Sequence, residues 1–163
     1  MATGDFSELL LASRFYLRLE LQVSGGTQSV DAVFSECQRF QRSQKAIEVI
    51  EVTPRQWGKA KYGQLVSTKV PGRVATDNLV LKRGLTESVT LWNWFTAVES
   101  GDWVNQEAEG GLSIYDQAGD EKARYDFRGA WPMRYSTSGV NARSTDMAIE
   151  ELVLAIDSFT RAA

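Results

Sequence analysis

The strongest pattern in this sequence is an alternation of apolar and polar side chains from Ser13 to Val23. The apolar set is Phe15, Leu17, Leu19, Leu21 and Val23, and the residues between them are Tyr16, Arg18, Glu20 and Gln22. A period of two places each set on its own face of a β-strand. We therefore expect a strand with one face in a core, and a fold built mainly from antiparallel β-sheet.

Similar patterns recur along the chain between turn residues. Gly25 and Gly26 predict a turn from the first strand into a strand-like run at 30–40. Further strands are predicted at 45–52, 64–70, 79–82, 112–116, 123–128 and 131–136, and the strand at 64–70 is expected to stop at a turn formed by Pro71 and Gly72. The segment 146–159 fits both strand and helical spacing. With no repeat or linker, the sequence predicts one domain over residues 1–163.

One segment has the pattern of an α-helix, from about Glu87 to Glu99. Thr86 is suited to the N-cap, and Ser100 with Gly101 to the end of the helix. Its apolar arc, which includes Trp92 and Trp94, is wider than one core requires. Two interpretations follow: the excess faces another subunit, or the helix is sandwiched within its own domain.

The segment between Thr53 and Thr68 breaks the sheet pattern with Pro54, Gly58 and Gly63. It also contains Trp57 and Tyr62 among basic residues, which predicts a long extended loop or hairpin arm. Long segments of this kind in compact domains often carry function, and aromatic side chains favour an interaction role. The alternative is a loop that folds back on its own domain.

The chain contains no histidine, and this absence excludes many kinds of catalytic site. It removes the commonest general base, the usual Ser or Cys triads and most zinc sites. No phosphate-binding loop, dinucleotide fingerprint or paired CxxC is present. We therefore expect no catalytic residues, no metal and no cofactor.

Catalysis by carboxylates alone does not require histidine, and the sequence contains two groups of acidic residues that are candidates for it. Glu150 and Glu151 are sequence neighbours that point to different faces, and Asp116, Asp120 and Glu121 lie among turn residues. Both settings predict solvated surface carboxylates rather than an acid–base pair.

Charge and cysteine content favour a cytoplasmic protein. The net charge is −3 with Lys and Arg scattered through the sequence, which argues against a duplex-binding surface. The single Cys37 cannot form an internal disulfide and is expected to act as a small buried apolar residue. Acidic residues near the N-terminus argue against a signal peptide, and no apolar run is long enough for direct membrane insertion.

The order of short motifs resembles one known family. It comprises Phe15-Tyr16, then FSEC at 34–37, Pro71-Gly72, LVLKRGL at 79–85 and a helix containing LWNWF. LSIYD at 112–116, YDF at 125–127, AWP at 130–132 and AIEELVL at 148–154 continue it. This order is similar to that of phage tail tube proteins and of the inner tubes of contractile injection systems, the T4 tail-tube-like and Hcp-like proteins, over about residues 12–157.

The resemblance implies a β-barrel or sandwich with one flanking helix, and a strand at 148–154. It also implies hexameric rings that stack into a hollow tube, with partners in the sheath, the baseplate and the spike or cap proteins, and with effector proteins or DNA as cargo. The sequence departs from the family at 51–63, where relatives commonly have an acidic stretch with glycine and this chain has a basic one. This departure concerns the contacts between rings.

Three functional hypotheses follow. The first is a structural inner tube subunit of a contractile injection system, without enzymatic activity, whose interface residues are Trp57, Tyr62, Pro71, Gly72, Trp92 and Trp94. The second is the tail tube protein of a contractile-tailed phage that conducts DNA. The third, from another class, is a small monomeric β-barrel that binds a ligand or acts as an effector.

Overall fold

The computed structural model describes residues 10–23, 26–30, 33–38, 40–56 and 63–162. Most of these residues form strands: β1 Phe15–Val23, β2 Gly26–Ser29, β3 Glu36–Gln38, β4 Arg42–Gln56, β5 Gly63–Thr76, β6 Leu79–Gly84, β7 Ala108–Tyr115, β8 Glu121–Thr137, β9 Ile149–Ala155 and β10 Ser158–Arg161. Helix α1 is Thr90–Glu99, and a 3₁₀ turn follows at Trp103–Gln106. The prediction of a mainly antiparallel β fold with one helix is confirmed.

The chain divides into two compact units. The first, the body, comprises Met1–Phe40 with Asp77–Ala163, and the second, the hairpin unit, is Gln41–Thr76. In the body the strands follow the order β2-β1-β7-β8-β9-β6-β3, and β10 also pairs with β8. All the pairs are antiparallel, and the path ends at β2 and β3 without closing. The body therefore resembles a sandwich rather than a closed barrel.

Strand β8 is long enough to belong to both layers of the body. Its first part pairs with β7 and β10, and its second part pairs with β9. Extra residues in β8 shift the register at three places: just before Ala123, at Gly129, whose φ is +65°, and beside Pro132. Glycine adopts positive φ without strain, and a proline is tolerated at a bulge because it has no N–H to donate. The predicted strands at 123–128 and 131–136 are thus one bent strand.

The core lies between these layers and is lined by the inward residues of the alternating strands. On β1 these are Leu17, Leu19 and Leu21, as the sequence predicted. The other large buried members are Phe34, Leu79, Leu81, Leu91, Trp94, Phe127, Leu152 and Leu154. Leu152 and Leu154 belong to β9. The segment 146–159, which fits both strand and helical spacing, therefore contains a strand.

Helix α1 begins three residues later than expected. Its N-cap is Val89, while the Thr86 hydroxyl accepts a hydrogen bond from the Ser88 N–H in the preceding turn. The predicted end is correct: the N–H groups of Ser100 and Gly101 donate to helix carbonyls, and Gly101 has a φ of +102°.

The hairpin unit consists of β4 and β5, so the predicted loop at 53–68 is largely strand. Residues 53–56 extend β4 and residues 63–68 begin β5. Strand β5 also continues through Pro71 and Gly72, where the sequence predicted a turn. Ala46 pairs with Pro71 and Gln44 pairs with Val74, which leaves two residues of β5 opposite one of β4. Gly72 and Arg73 thus form a β-bulge opposite Lys45, directly after Pro71, and the bulge accommodates both the proline and the glycine.

Candidate assembly surfaces

The hairpin unit exposes apolar side chains on both of its faces. On one face, Ile50 and Leu65 are 66% and 69% exposed, beside the exposed Val52. On the other, Ile47 is exposed next to its cross-strand partner Val70. An isolated two-stranded hairpin is marginally stable in water, and exposed apolar patches mark interaction sites. Both faces are therefore candidate contact surfaces.

The bulge at Gly72 and Arg73, next to Pro71, shapes one of these faces. The Gln44 side-chain amide donates to the Gly72 carbonyl over 3.0 Å, and a Cβ at Gly72 would lie 2.7 Å from the Lys45 carbonyl oxygen. Glycine is therefore required for the close approach of the two strands. A concavity of about 600 Å³ lies here. It is lined by Gly72, the basic Lys45 and Arg73, the acidic Glu48, and Ala46, Ile47 and Ala75. The proposed roles of Pro71 and Gly72 at an interface stay predictions.

The two aromatic residues predicted to act at the arm, Trp57 and Tyr62, lie outside the described residues. Their role stays a prediction based on the sequence.

The two helix tryptophans occupy different environments. Trp94 is 2% exposed, and its indole N–H donates to the Gln106 carbonyl over 2.7 Å. Its burial in the core of the body does not fit the prediction that it presents surface to a neighbour. Trp92 is half exposed and packs edge-on against Tyr135, with ring centroids 5.2 Å apart. Trp92 is thus the helix tryptophan with surface available for a partner.

A buried ion pair was missed by the sequence analysis. Arg83 and Glu150 are paired across β6 and β9, and their side chains form an ion pair in the core. The Tyr135 hydroxyl donates to the same carboxylate. This corrects the prediction of a solvated role for Glu150. Burial of the phenol, reinforced by the hydrogen bond to Glu150, raises the pKa of Tyr135 to about 12.

The sequence contained a signal for this pair. Arg83 continues the inward face of Leu79 and Leu81, and Glu150 continues the inward face of Leu152 and Leu154. Charged residues on two apolar faces indicate a buried pair once the strands are known to be neighbours. Glu151, by contrast, points outward to Arg134, so the prediction that the two glutamates face opposite ways is confirmed.

The second acidic group, Asp116, Asp120 and Glu121, lies at a turn, and Asp116 is not solvated as predicted. Asp116 is buried, and its carboxylate accepts the Asp120 N–H over 2.9 Å between β7 and β8. That hydrogen bond, assisted by Lys122, holds the pKa of Asp116 below its usual value. Asp120 and Glu121 are exposed, as predicted. The arrangement fixes a turn and does not form an acid–base pair.

The outward face of β1 is polar, as expected. Tyr16 and Arg18 are exposed, and Arg18 pairs with Glu20 over 3.4 Å. This face continues across β7 and β8. There the Ser113 hydroxyl donates to Glu121, and Arg124 forms ion pairs with Glu121 and Asp126. Such a face is suited to contact with water.

Within the described ranges, no group of three or more Cys, Asp or Glu side chains is arranged to hold a metal ion. No helix in the described part of the chain is long and apolar enough to cross a membrane.

Solved structures with the same fold come from contractile injection particles. A chain in the baseplate of the anti-feeding prophage, 6-fold symmetrised, superposes with a TM-score of 0.75 at 17% identity, over 96% of this chain and 97% of that one. A chain of the PVC sheath–tube complex in the extended state gives 0.71 at 19% identity, over 95% and 92%. A chain of the anti-feeding prophage tube-terminating cap gives 0.70 at 18% identity, over 99% and 98%. These likenesses establish the fold.

Comparison of the sequence with curated proteins gives no match. The family model of the T4-like virus tail tube protein gp19, however, matches residues 12–160. This span includes every strand of the body and the whole hairpin unit, apart from the last residue of β10. The chain therefore belongs to the family of T4-like virus tail tube proteins and is a structural tube subunit.

Proposed function

We propose that this chain is the inner tube subunit of a contractile injection system, whose hexameric rings stack into a hollow tube. The match to the tail tube family from residue 12 to residue 160 carries this proposal. The similar chains in the anti-feeding prophage and PVC particles favour an injection system over a phage tail. The 6-fold symmetrised baseplate supports a hexameric ring.

The described surfaces support assembly. The body ends in the short edge strands β2 and β3, each with one neighbour among the described residues, and unpaired strand edges can pair with another chain. A head-to-tail contact between identical chains closes into a ring when the rotation permits. The exposed apolar faces of the hairpin unit offer a further contact for a chain outside the ring. In this proposal the hairpin unit is an arm of one tail-tube-like domain with its core at about 12–157.

The proposed place of this chain in a contractile injection system implies further partners. A sheath surrounds the tube and expels it on contraction, while baseplate and spike or cap proteins close its ends. Effector proteins are carried in the lumen, or DNA passes through it in the alternative case of a contractile phage tail. The subunit assembles in the cytoplasm and has no enzymatic activity or cofactor of its own.

Electron microscopy of the purified chain tests this proposal. We expect rings of six subunits, and tubes of uniform bore when the protein is concentrated. A chain that stays monomeric under these conditions, and with the sheath and baseplate proteins added, would overturn the proposal and favour a monomeric binding module.

Surface variants test which apolar side chains act in assembly. Leu65→Ser removes an exposed apolar side chain from one face of the hairpin unit, and Trp92→Ser removes the exposed helix tryptophan. Val140→Ser is the control, because Val140 is also exposed but lies in the loop before β9. We expect Leu65→Ser or Trp92→Ser to reduce rings or tubes and the control to have no effect. Equal assembly by all three would remove these surfaces from the proposed interfaces.

A further inference from the structure

The charges of the chain are divided unevenly between its two units. The hairpin unit, Gln41–Thr76, has seven Lys and Arg and two Glu, a net charge of +5. The body has eleven Lys and Arg and nineteen Asp and Glu, a net charge of −8. Lys and Arg are scattered through the sequence, but this count shows that they outnumber Asp and Glu in only one of the two units. A small net charge of −3 therefore conceals a basic unit and an acidic unit.

The described cations of the hairpin unit are exposed and form no ion pair with a described residue, although Glu48 lies opposite Lys69 across the two strands. Arg42, Lys45, Lys69 and Arg73 are exposed on β4 and β5, and none forms an ion pair with a described residue. They lie in the same two strands as the exposed apolar side chains. The strand register places Lys69 on the face of Ile50 and Leu65, whereas Lys45 and Arg73 line the concavity beside Ile47 on the other face. Each face is thus both basic and apolar, which suits an acidic partner with apolar contacts.

The body contains a surface of the opposite character. Residues 84–121 include eight Asp and Glu and no Lys or Arg. Within this stretch, Glu99, Asp102 and Glu109 are exposed around the end of α1, the 3₁₀ turn and the start of β7. The exposed Trp103 and Val104 lie on the same turn. The sequence therefore places acidic and aromatic surface together here.

A pocket adjoins this acidic surface. It has a volume of about 450 Å³ and is lined by Val98, Trp103, Trp131 and Asp157; we call it the tryptophan pocket. Asp157 is exposed, and its carboxylate has no ion-pair partner among the described residues. Two indole rings beside a carboxylate suit the ammonium or guanidinium group of a Lys or Arg side chain.

We propose that the tryptophan pocket and its acidic surroundings receive the basic hairpin unit of a second copy of this chain in the next ring. This inference rests on the proposed function, because it needs stacked rings. A second copy is favoured because one chain carries both complementary surfaces, and a contact between two different surfaces of identical chains propagates as a stack. Electrostatic attraction would set the polarity of the stack, and the apolar side chains would add salt-resistant contact area.

Charge reversal tests the basic side of the contact. Lys69→Glu/Arg73→Glu places like charges opposite the acidic surface, so we expect the protein concentration needed for tubes to rise about tenfold or more while rings persist. Arg143→Glu is a control for reversal of an exposed cation, since Arg143 is exposed in the loop before β9. Ring and tube fractions are measured by sedimentation and electron microscopy. Screening in 1 M salt should reduce the difference between the variants.

Complementation tests the partnership itself. Glu99→Lys/Asp157→Lys reverses the pocket side, and lysine at the end of α1 is compatible with the helix dipole. Rings of either double variant should stack poorly alone. Mixed in equal amounts they should stack, because each contact in an alternating stack again joins opposite charges. Asp146→Lys is the control for the pocket side, because Asp146 is exposed outside this surface.

Trp103→Ala tests the apolar part of the contact. We expect this variant to form rings and to lose tubes at all salt concentrations, because the missing indole contact does not depend on ionic screening.

The outcomes separate this inference from the proposed function. If the unmodified chain stays monomeric even with the sheath and baseplate proteins added, the proposed function fails. If it forms tubes and the charge variants stack equally well, or if the mixed variants fail to restore tubes, the pocket is not the receiving site. Normal stacking by the variants with loss of sheath or DNA binding would assign the charged surfaces to those partners and overturn the inference.

Discussion

Arg83 and Glu150 lie opposite each other on β6 and β9, and each side chain is only 3% exposed. Removing two charges from water is costly, and this cost is offset only while both partners remain in place. The Arg83 guanidinium also approaches the Ser88 carbonyl before α1, and Glu150 accepts the Tyr135 hydroxyl beside Trp92. The pair therefore links the sheet of the body to the helix that carries an exposed tryptophan.

Removing one partner of this pair should strongly destabilise the chain. We expect Glu150→Gln to lower the free energy of unfolding by about 3–5 kcal/mol, because it leaves the Arg83 charge buried without compensation. Glu151→Gln should cost within about 1 kcal/mol, because Glu151 forms a more exposed pair with Arg134. Urea unfolding measures both. A double change, Arg83→Met/Glu150→Leu, should recover most of the loss, and equal losses in single and double variants would contradict this account.

The Tyr135 phenol should titrate at unusually high pH. Its pKa is raised to about 12, against about 10 for an unperturbed tyrosine. The folded state therefore holds this proton at pH values where the unfolded state releases it. The resulting stabilisation is complete below about pH 10 and is lost as the pH rises towards 12. Tyrosinate absorbance should show a step near pH 12 that is missing in Tyr135→Phe. A step unaffected by this substitution would refute the assignment.

Gly110 should tolerate no side chain. A Cβ there would lie 2.3 Å from the Arg18 carbonyl oxygen and 2.5 Å from the Phe127 ring, and both are fixed by the paired strands. We expect Gly110→Ala to lower the free energy of unfolding by about 1–3 kcal/mol or more, because it overpacks the core. Gly139→Ala is the matched control, since nothing lies within 4 Å of its Cβ position. Thermal unfolding compares the two, and similar melting temperatures would contradict the prediction.

The Cys37 thiol should react slowly in the folded protein. Desolvation raises its pKa to about 12, so almost no thiolate is present at pH 8. Labelling with a thiol reagent at pH 8 should be more than about tenfold slower in buffer than in urea, where the pKa returns towards its usual value of about 8.5. Equal rates would show that the thiol is accessible and ionised. The expected result fits the role of a small apolar residue beside the core.

Patterns local to one strand or helix were predicted well. The alternation from Phe15 to Leu21 predicted both the strand and its inward face, since side chains that alternate with a period of two point to opposite faces of a strand. The end of α1 followed from Gly101, because glycine adopts positive φ without strain. The family resemblance correctly favoured a strand at 148–154, where periodicity alone was ambiguous.

Features that depend on distant segments were missed. Pro71 and Gly72 are compatible with a turn or a bulge, and only the pairing of β5 with β4 selects the bulge. Trp94 fits an exposed or a buried helix face, and the position of the 3₁₀ turn decides its burial. In the same way, Glu150 looks like a surface carboxylate until β9 lies beside β6 and brings Arg83 to it.

The sequence by itself determined the β-rich class, the inward face of the first strand, the single helix and the family, because backbone periodicity and motif order are properties of the chain alone. The tertiary structure decided which charges are buried, which tryptophan remains exposed and which acidic residues surround the tryptophan pocket. The physical reason is that burial and electrostatic environment depend on which strands become neighbours, and that choice joins residues such as Arg83 and Glu150 that are far apart in the sequence.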